Sequence, residues 1–296
     1  MENNFVNERK PSYIGRRLGL LFVVAIFFTI LGRHMTFLPT INLSMNTKEE
    51  DLKKEIEEII KNKNGSYSIY YKNLETGSSF GINEKQINKG ASINKVPIIA
   101  ALYQLEKNKK IDIDERVTIQ KDDVQDYGTG SIRYQEMPQN YSLRNLAKLA
   151  LKESDNTAAH VIELKIGEEN VQKFVNSWGM KQTNMVENQT TVTDIAIIFE
   201  KIFNNQITTE ANTNEFLSFM TETEFEDRIT SGLPNNTTSY HKTGDDEGYT
   251  HDIGIIVTPN GKYFLGIMTS DIGGREEETK KTMSEISKII YKALND

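Results

Sequence analysis

The order of strand-like and helix-like patterns limits the folds open to this chain. Strand-like segments occur at residues 66–72 and again, close to the end, at residues 253–257 and 263–269. Between them, apolar residues recur at steps of three and four, the spacing typical of amphipathic helices. One helical pattern precedes the first strands and another closes the chain. The predicted order is therefore helix, strands, helical block, strands, helix.

The helices of this order are predicted from periodicity alone. The first and the last are long and amphipathic, and those between them form the central block. In chain order they cover residues 48–61, 97–106, 143–152, 157–166, 171–178, 192–203, 214–220 and 276–294.

The amino-acid composition limits the kinds of functional site that this chain can contain. The chain has 296 residues, no cysteine and a formal net charge of -7 at pH 7. The absence of thiols excludes disulfides, thiolate metal sites and cysteine nucleophiles. Only four histidines occur, at spacings that fit no zinc motif, so we expect neither a metal nor a cofactor. The acidic balance argues against a nucleic-acid partner, and we expect a monomer.

Residues 18–31 form the one uninterrupted apolar run and follow three basic residues. Together with the apolar residues that come next, they predict a membrane anchor or signal segment at residues 18–38. The preceding positive charges favour a cytoplasmic N-terminus at residues 1–17. A linker at 39–47 then leads to a domain at 48–296 on the outside of the cell membrane. This domain is secreted if the segment is cleaved, and a buried core helix is the alternative interpretation.

Three short motifs carry the candidate chemistry. They are Ser92-Ile93-Asn94-Lys95, Ser154-Asp155-Asn156 and Lys242-Thr243-Gly244, in that order along the chain. Each alone has a simpler interpretation, respectively a solvated helix charge, a loop with a helix cap and a turn. Their joint occurrence in this order instead predicts an active site with a serine nucleophile.

The first motif supplies a nucleophile and a base. Ser92 and Lys95 are three residues apart, so on a helix they share one face. An amine beside a hydroxyl accepts its proton once burial or a neighbouring cation lowers the amine's pKa. Since Pro97 is tolerated only near a helix start, Ser92 is expected at or just before the first turn. Free backbone N–H groups are available there to stabilise an oxyanion.

The third motif is expected to complete the oxyanion site. The backbone N–H groups of Ser92 and Asp245 are the two predicted donors. Gly244 allows the substrate to approach the backbone closely. Thr243 is a candidate for binding the carboxylate of the substrate.

The second motif is expected to handle the leaving group. Lys242 places a positive charge beside Ser154, and this pair is predicted to relay a proton to the leaving nitrogen. Asn156 is predicted to hold the amide on the acyl side of the substrate. The candidate catalytic residues are therefore Ser92, Lys95, Ser154 and Lys242.

With these motifs the chain resembles the penicillin-recognising serine hydrolases, and most closely the class A β-lactamases. The resemblance covers about residues 48–296. It implies an α+β fold, an α/β/α sandwich in which helices flank a five-stranded antiparallel sheet and an all-helical domain is inserted. The first and last helices would pack on the sheet, with the serine at the seam. The similar stretches that extend the resemblance beyond the three motifs lie at residues 95–98, 128–131, 155–159, 227–229, 232–234 and 251–254.

One departure from that family concerns the release of the acyl group. Class A β-lactamases carry a Glu-x-x-Leu-Asn loop whose glutamate activates the deacylating water. The corresponding stretch here, residues 180–189, is much shorter and lacks this pattern. Glu187 is its only carboxylate, which makes it the candidate deacylation base or else a solvated loop residue. No basic residue follows Asp245 directly on its strand to attract a β-lactam carboxylate.

Three functions remain open at this point. The resemblance implies hydrolysis of β-lactams or related amides through an acyl-enzyme on Ser92. The missing glutamate supports a second function, a D-Ala-D-Ala peptidase or penicillin-binding cell-wall hydrolase that deacylates slowly. A third is a surface protein that binds peptidoglycan or a receptor without chemistry. The expected partners are a β-lactam or cell-wall peptide and, through the N-terminal segment, the membrane.

Overall fold

The computed structural model describes residues 43–295. In this range the helices are α1 (Leu43–Ile60), α2 (Lys95–Lys107), α3 (Leu143–Lys152), α4 (Asn156–Ile166), α5 (Glu168–Trp178), α6 (Val192–Phe203), α7 (Glu210–Ser218) and α8 (Glu276–Asn295). The strands are β1 (Ser66–Asn73), β2 (Ser79–Ile82), β3 (Asn88–Lys89), β4 (Arg116–Ile119), β5 (Gln139–Ser142), β6 (Gln189–Thr190), β7 (Thr238–Asp246), β8 (Tyr249–Thr258) and β9 (Gly261–Ser270). The predicted membrane segment at residues 18–38 lies outside the described residues. Among the helices described, none combines the length and the apolar character needed to cross a bilayer.

The main sheet joins the two ends of the domain. Its strand order is β2-β1-β9-β8-β7, and every neighbouring pair is antiparallel. The first strand, β1, pairs along its whole length with the last strand, β9, from Ser66 opposite Ser270 to Asn73 opposite Tyr263. The helical block therefore enters the chain between β2 and β7, and β7 forms one edge of the sheet.

The sheet buries both faces because successive side chains of a strand point to opposite faces and its central strands carry apolar residues on both. In β9, Phe264 and Met268 face the central helices, whereas Leu265 and Ile267 face the opposite core. Helices α1 and α8 cover that second core with the apolar residues of one helical stripe each, such as Ile56. These three layers are the predicted α/β/α sandwich.

The central helices form the other core. Buried residues of α2 to α7 pack together and against the inner face of the sheet. Polar N-caps start several of these helices: Ser142 accepts from the Asn145 N–H, and Thr191 accepts from the Asp194 N–H. Each such cap contributes about 1 kcal/mol. The predicted α+β fold with a five-stranded antiparallel sheet is confirmed.

Strand β7 was not recognised from its residue pattern. Its sequence, TSYHKTGDD, is polar, with little of the alternation that marked the other long strands. The physical reason is its position, because an edge strand that borders a cavity has one side with no apolar core to fill. The functional residues of the third motif occupy this strand.

Candidate active site

Ser92 lies in a short 3-10 turn, residues Ala91–Asn94, that leads directly into α2. Ala91 has a φ of 47°, a left-handed conformation that costs energy for a residue with a side chain. Lys95 is the first residue of α2, and its Nζ lies 3.0 Å from Ser92 Oγ. The turn thus presents the hydroxyl and the amine side by side.

Burial controls the charge of Lys95. The side chain is only 7% exposed, and its Nζ donates to the Ser154 carbonyl and, at 2.7 Å, to Asn156 Oδ1. Desolvation lowers the pKa of Lys95 from 10.5 to about 7, although the nearby Asp155 carboxylate opposes this change. Near neutral pH the amine is therefore available in its uncharged form, which accepts a proton.

Ser154 is held in a rare backbone conformation, with a φ of 57°. The following residue, Asp155, caps α4 by accepting from the Ala158 N–H at 2.8 Å and also accepts from the Ile132 N–H at 2.9 Å. A Cβ at Gly130 would lie 2.2 Å from the Asp155 carboxylate, so only glycine fits there. Asp155 is a helix cap, as the simpler interpretation of the motif had it, and this cap fixes Ser154 at the cavity.

Lys242 reaches the same serine from the sheet. Its Nζ lies 2.9 Å from Ser154 Oγ, and Ser154 Oγ lies 3.1 Å from Lys95 Nζ. The side chain is 1% exposed, and desolvation together with Lys95 and Arg228 lowers its pKa well below that of an ordinary lysine. An unbroken chain of contacts thus runs from Ser92 Oγ through Lys95 Nζ and Ser154 Oγ to Lys242 Nζ.

The free edge of β7 faces the cavity. The His241 N–H points away from β8, since it donates to the Met220 carbonyl at 2.8 Å. Alternate residues of an antiparallel strand direct their N–H groups to the same side, so the N–H of Asp245 points away from β8 as well. A Cβ at Gly244 would approach the Gly90 carbonyl to 3.2 Å, so this residue lets β7 lie close to the turn that carries the nucleophile. The Asp245 N–H therefore points to the side of β7 that lies next to the nucleophile turn, as a predicted oxyanion donor must.

These groups lie at a cavity of about 510 Å³, the candidate catalytic cavity. Ser92, Ser154, Asn156 and Thr243 line it, whereas Lys242 lies behind its surface. Asn156 Nδ2 donates to the Tyr127 carbonyl at 3.0 Å, which leaves one of its two hydrogens for a substrate.

A family model described as "Beta-lactamase enzyme family" matches residues 51–294. The chain belongs to this family. A search of curated protein sequences returned no match.

Solved structures of the family are similar over most of their length. The structure of PBP-A is 25% identical, with a TM-score of 0.76 over 83% of this chain and 96% of that one. The extended-spectrum β-lactamase TLA-1 is 24% identical, with a TM-score of 0.77 over 84% of this chain and 100% of that one. A β-lactamase from Sphaerobacter thermophilus is 19% identical, with a TM-score of 0.77 over 82% and 97%. At these identities, the similarity to TLA-1 and to the Sphaerobacter thermophilus enzyme shows a shared fold.

Glu187 is the one predicted site residue that the structure does not bring to the cavity beside Ser92. Its exposed side chain lines a second cavity of about 400 Å³, together with Gln86 and Tyr249. The neighbours Met185 and Asn188 line the catalytic cavity instead. The hairpin-like turn closed by Asn184 and Gln189 turns successive side chains to different sides, and sequence proximity to the site could not reveal which of them faces it.

Arg228 is a residue of the site that motif reasoning missed. It is 1% exposed, and it donates to the Asp245 carboxylate at 2.5 Å and to the His251 carbonyl at 2.7 Å. No basic residue follows Asp245 along its strand, but the fold brings this guanidinium from a preceding segment. The Asp-Arg-Ile stretch at residues 227–229 was the available signal.

Further side chains complete the cavity wall without belonging to the three motifs. Thr129 donates to the Ser154 carbonyl at 2.9 Å, and Asn188 Oδ1 accepts from Asn94 at 2.6 Å. His160 and Glu163 also line the cavity, and burial, with the help of Glu168, raises the pKa of Glu163. Within residues 43–295, no three histidine, aspartate or glutamate side chains converge as a metal site.

Proposed function

We propose that this protein is a serine hydrolase that forms an acyl-enzyme on Ser92 with β-lactams or related amides. The observation that carries this proposal is the chain of contacts from Ser92 Oγ to Lys242 Nζ, with each step between 2.9 and 3.1 Å. Membership of the β-lactamase family supports it. The related PBP-A has been captured, as a variant, in an acyl-enzyme complex with penicillin G.

Acylation begins with a proton transfer. Uncharged Lys95 accepts the proton of Ser92, and Oγ attacks the carbonyl carbon of the substrate amide. As the C–O bond forms, the backbone N–H groups of Ser92 and Asp245 stabilise the negative charge on the carbonyl oxygen.

Collapse of this intermediate breaks the C–N bond. Ser154 Oγ lies between the two amines, at 3.1 Å from Lys95 and 2.9 Å from Lys242. The proton that Lys95 took from the nucleophile therefore has a short route through Ser154 to the leaving nitrogen. The serine ends as an ester and the nitrogen takes up the proton; the resulting amine departs from a linear amide and stays attached to the acyl group of an opened β-lactam.

The charge around the cavity bears on which amides bind. Asp245 is paired with Arg228, and Asp246 is paired with Lys89 at 2.7 Å. The negative charges of Asp245 and Asp246 at the cavity are thus largely neutralised, which removes an obstacle to anionic substrates. Thr243 remains the candidate for binding the carboxylate of such a substrate.

Release of the acyl group requires a base that takes a proton from water. Of residues 180–189, Met185 and Asn188 face the catalytic cavity, and neither a thioether nor an amide takes a proton from water. This observation favours the second candidate, a penicillin-binding peptidase or cell-wall hydrolase that β-lactams acylate and that deacylates slowly.

Intact-mass spectrometry after incubation with benzylpenicillin tests the proposal. We expect a stoichiometric adduct with the mass of the intact penicillin, located on Ser92 and absent from Ser92→Ala. Rapid disappearance of the adduct with turnover of nitrocefin would identify a β-lactamase, whereas a long-lived adduct would identify the penicillin-binding alternative. A folded wild-type protein that forms no adduct would contradict both and leave the non-catalytic binding protein.

We also propose that the domain lies outside the cell and is tethered by the N-terminal segment. The support is the apolar run at residues 18–31 with the preceding basic residues. Protease treatment of intact cells tests this proposal, since an external domain is digested and a cytoplasmic one is protected.

A further inference from the structure

His241 precedes Lys242 on β7, and the proposed acylation does not use it. Its side chain is fully buried. Nδ1 lies 2.8 Å from Asp252 Oδ1, and Nε2 lies 3.0 Å from Glu226 Oε1. Both ring nitrogens therefore face carboxylate oxygens.

This arrangement requires a charged imidazole. A neutral ring carries one N–H, whereas two carboxylate partners need a donor at each nitrogen. The charged groups that face the ring are Asp252 from β8 and Glu226 from the segment after α7. Burial alone would lower the pKa of His241, but these two carboxylates outweigh it and raise the pKa to about 9.

The same carboxylates hold residues 223–229 at both ends. At the start of this segment, Glu226 Oε1 accepts from the N–H of Thr223 at 2.6 Å and from its hydroxyl at 2.9 Å. At its end, Asp252 Oδ2 accepts from the Ile229 N–H at 3.0 Å. His241 lies between the two acceptors and joins them into one buried network.

Two side chains of residues 223–229 reach the catalytic cavity. Phe225 lines it, and its ring centre lies 5.9 Å from Lys242 Nζ. Arg228 holds Asp245, the residue whose N–H is the predicted oxyanion donor. The position of this segment therefore affects both the cavity wall and the binding of the acyl donor.

We propose that His241 is a positioning residue, whose charged ring fixes residues 223–229 and thereby the shape of the wall that receives the acyl donor. The inference rests on the proposed function, since it concerns how a substrate binds beside Ser92. Loss of the network weakens binding of the acyl donor. The maximal rate of acylation changes little for two reasons. The contacts among Ser92, Lys95, Ser154 and Lys242 do not include His241, and the backbone of Asp245 is held by the pairing of β7 with β8, whereas Arg228 contacts only its side chain.

The test uses Glu226→Gln, because Glu226 is partly exposed and the variant leaves no buried charge unpaired. Its matched control is Glu224→Gln, an exposed carboxylate of the same segment with no contact to His241. Acylation by a fluorescent penicillin is followed as a function of concentration and pH. We expect the half-saturating concentration to rise about tenfold in Glu226→Gln, with the limiting rate nearly unchanged and the control like wild type.

The pH profile distinguishes a positioning role from a general loss of stability. A histidine whose pKa is raised in the folded state contributes stability below its unfolded value, and this contribution is lost as the pH rises through about 9. Binding should therefore weaken near pH 9 in the wild type. Without Glu226 the pKa of His241 falls, so the same weakening should occur at lower pH in Glu226→Gln.

Two results would overturn the inference. One is an unchanged half-saturating concentration and pH limit in Glu226→Gln, and the other is an equal change in Glu224→Gln. Amide hydrogen exchange at a fixed pH reports on the network without any substrate. Faster exchange of residues 223–229 in Glu226→Gln, with no acylation of the wild type, would place the failure in the proposed function. Unchanged exchange would place it in the role of His241.

Discussion

The two walls of the catalytic cavity differ in the chemistry that they offer. One wall carries Ser92, Lys95 and Ser154, whose hydroxyl and amine groups lie 3.0 to 3.1 Å apart. The other comes from the turn that contains Met185 and Asn188, which are poor proton acceptors. Under the proposed function, the first wall forms the acyl-enzyme, whereas Met185 and Asn188 of the second do not activate the water that would hydrolyse it.

This difference separates two steps that are easily treated as one activity. Acylation depends on groups brought together by α2, the loop before α4, and β7. In the proposed mechanism, deacylation depends on a proton acceptor for water, which neither Met185 nor Asn188 of the short turn supplies, while His160 and Glu163 of α4 line another part of the cavity. A chain of this fold can therefore keep the first step intact while the second becomes slow, and experiments that measure the two rates separately test the comparison.

The largest effect is expected from Lys95→Met, which removes the base from the first wall. Acylation should slow by about 10² to 10⁴-fold, the usual contribution of a general base. The rate of adduct formation by mass spectrometry measures it. Lys107→Met, an exposed lysine of the same helix, is the control and should acylate at the wild-type rate. Fast acylation of a well-folded Lys95→Met would mean that another group takes the serine proton.

The pH dependence of acylation should follow the charge on Lys95. Burial lowers the pKa of this lysine to about 7, and only the uncharged amine accepts the serine proton. The acylation rate should therefore rise with pH through about 7, falling about tenfold per unit below it. A rate that is flat from pH 5 to 8, measured with a neutral acyl donor, would contradict this assignment.

A carboxylate added to the second wall should speed deacylation. Met185 is 8% exposed and faces the catalytic cavity, so Met185→Glu directs a proton acceptor towards the bound ester. An acceptor that is not optimally placed should shorten the lifetime of the adduct by about tenfold. The lifetime is measured after removal of free penicillin. Val186→Glu adds the same charge to an exposed neighbour and should leave the lifetime unchanged.

The smallest effect is expected from Glu187→Gln. The Glu187 side chain lines the second cavity and not the one that contains Ser92, so the lifetime of the acyl-enzyme should match that of wild type. A clearly longer lifetime would show that this carboxylate reaches the ester, and the two walls would then differ less than the structure suggests.

The elements that residue patterns predicted best are those with one clearly apolar face. Helices α3 and α6 have the predicted limits, residues 143–152 and 192–203, because each buries a continuous stripe in the core. Strand β7 was not predicted from periodicity, because it borders the cavity and carries polar residues there in place of the apolar residues that face a hydrophobic core. Periodicity reveals apolar residues, whereas the buried side chains of this strand, such as His241, Lys242 and Thr243, are polar.

Of the candidate site, too, the sequence predicted some contacts and not others. The three motifs predicted a set of residues that lie together in the structure. These residues form one chain of contacts, made by Ser92, Lys95, Ser154 and Lys242. Their roles stay predictions until acylation is measured. The pairing of Asp245 with Arg228 could not be predicted, because Arg228 belongs to none of the three motifs and its position depends on how residues 223–229 pack against β7.

The sequence by itself determined the family, the order of the elements and the chemical types of the groups available, because these depend on residue identity and on short-range periodicity. Only the tertiary structure decided which titratable groups are neutral, which charged groups are paired and which side chains face the proposed ester. The lowered pKa of Lys95, the charged state of His241 and the outward turn of Glu187 all depend on burial and on neighbours from other elements. Such effects arise from packing, which no single segment of the chain specifies.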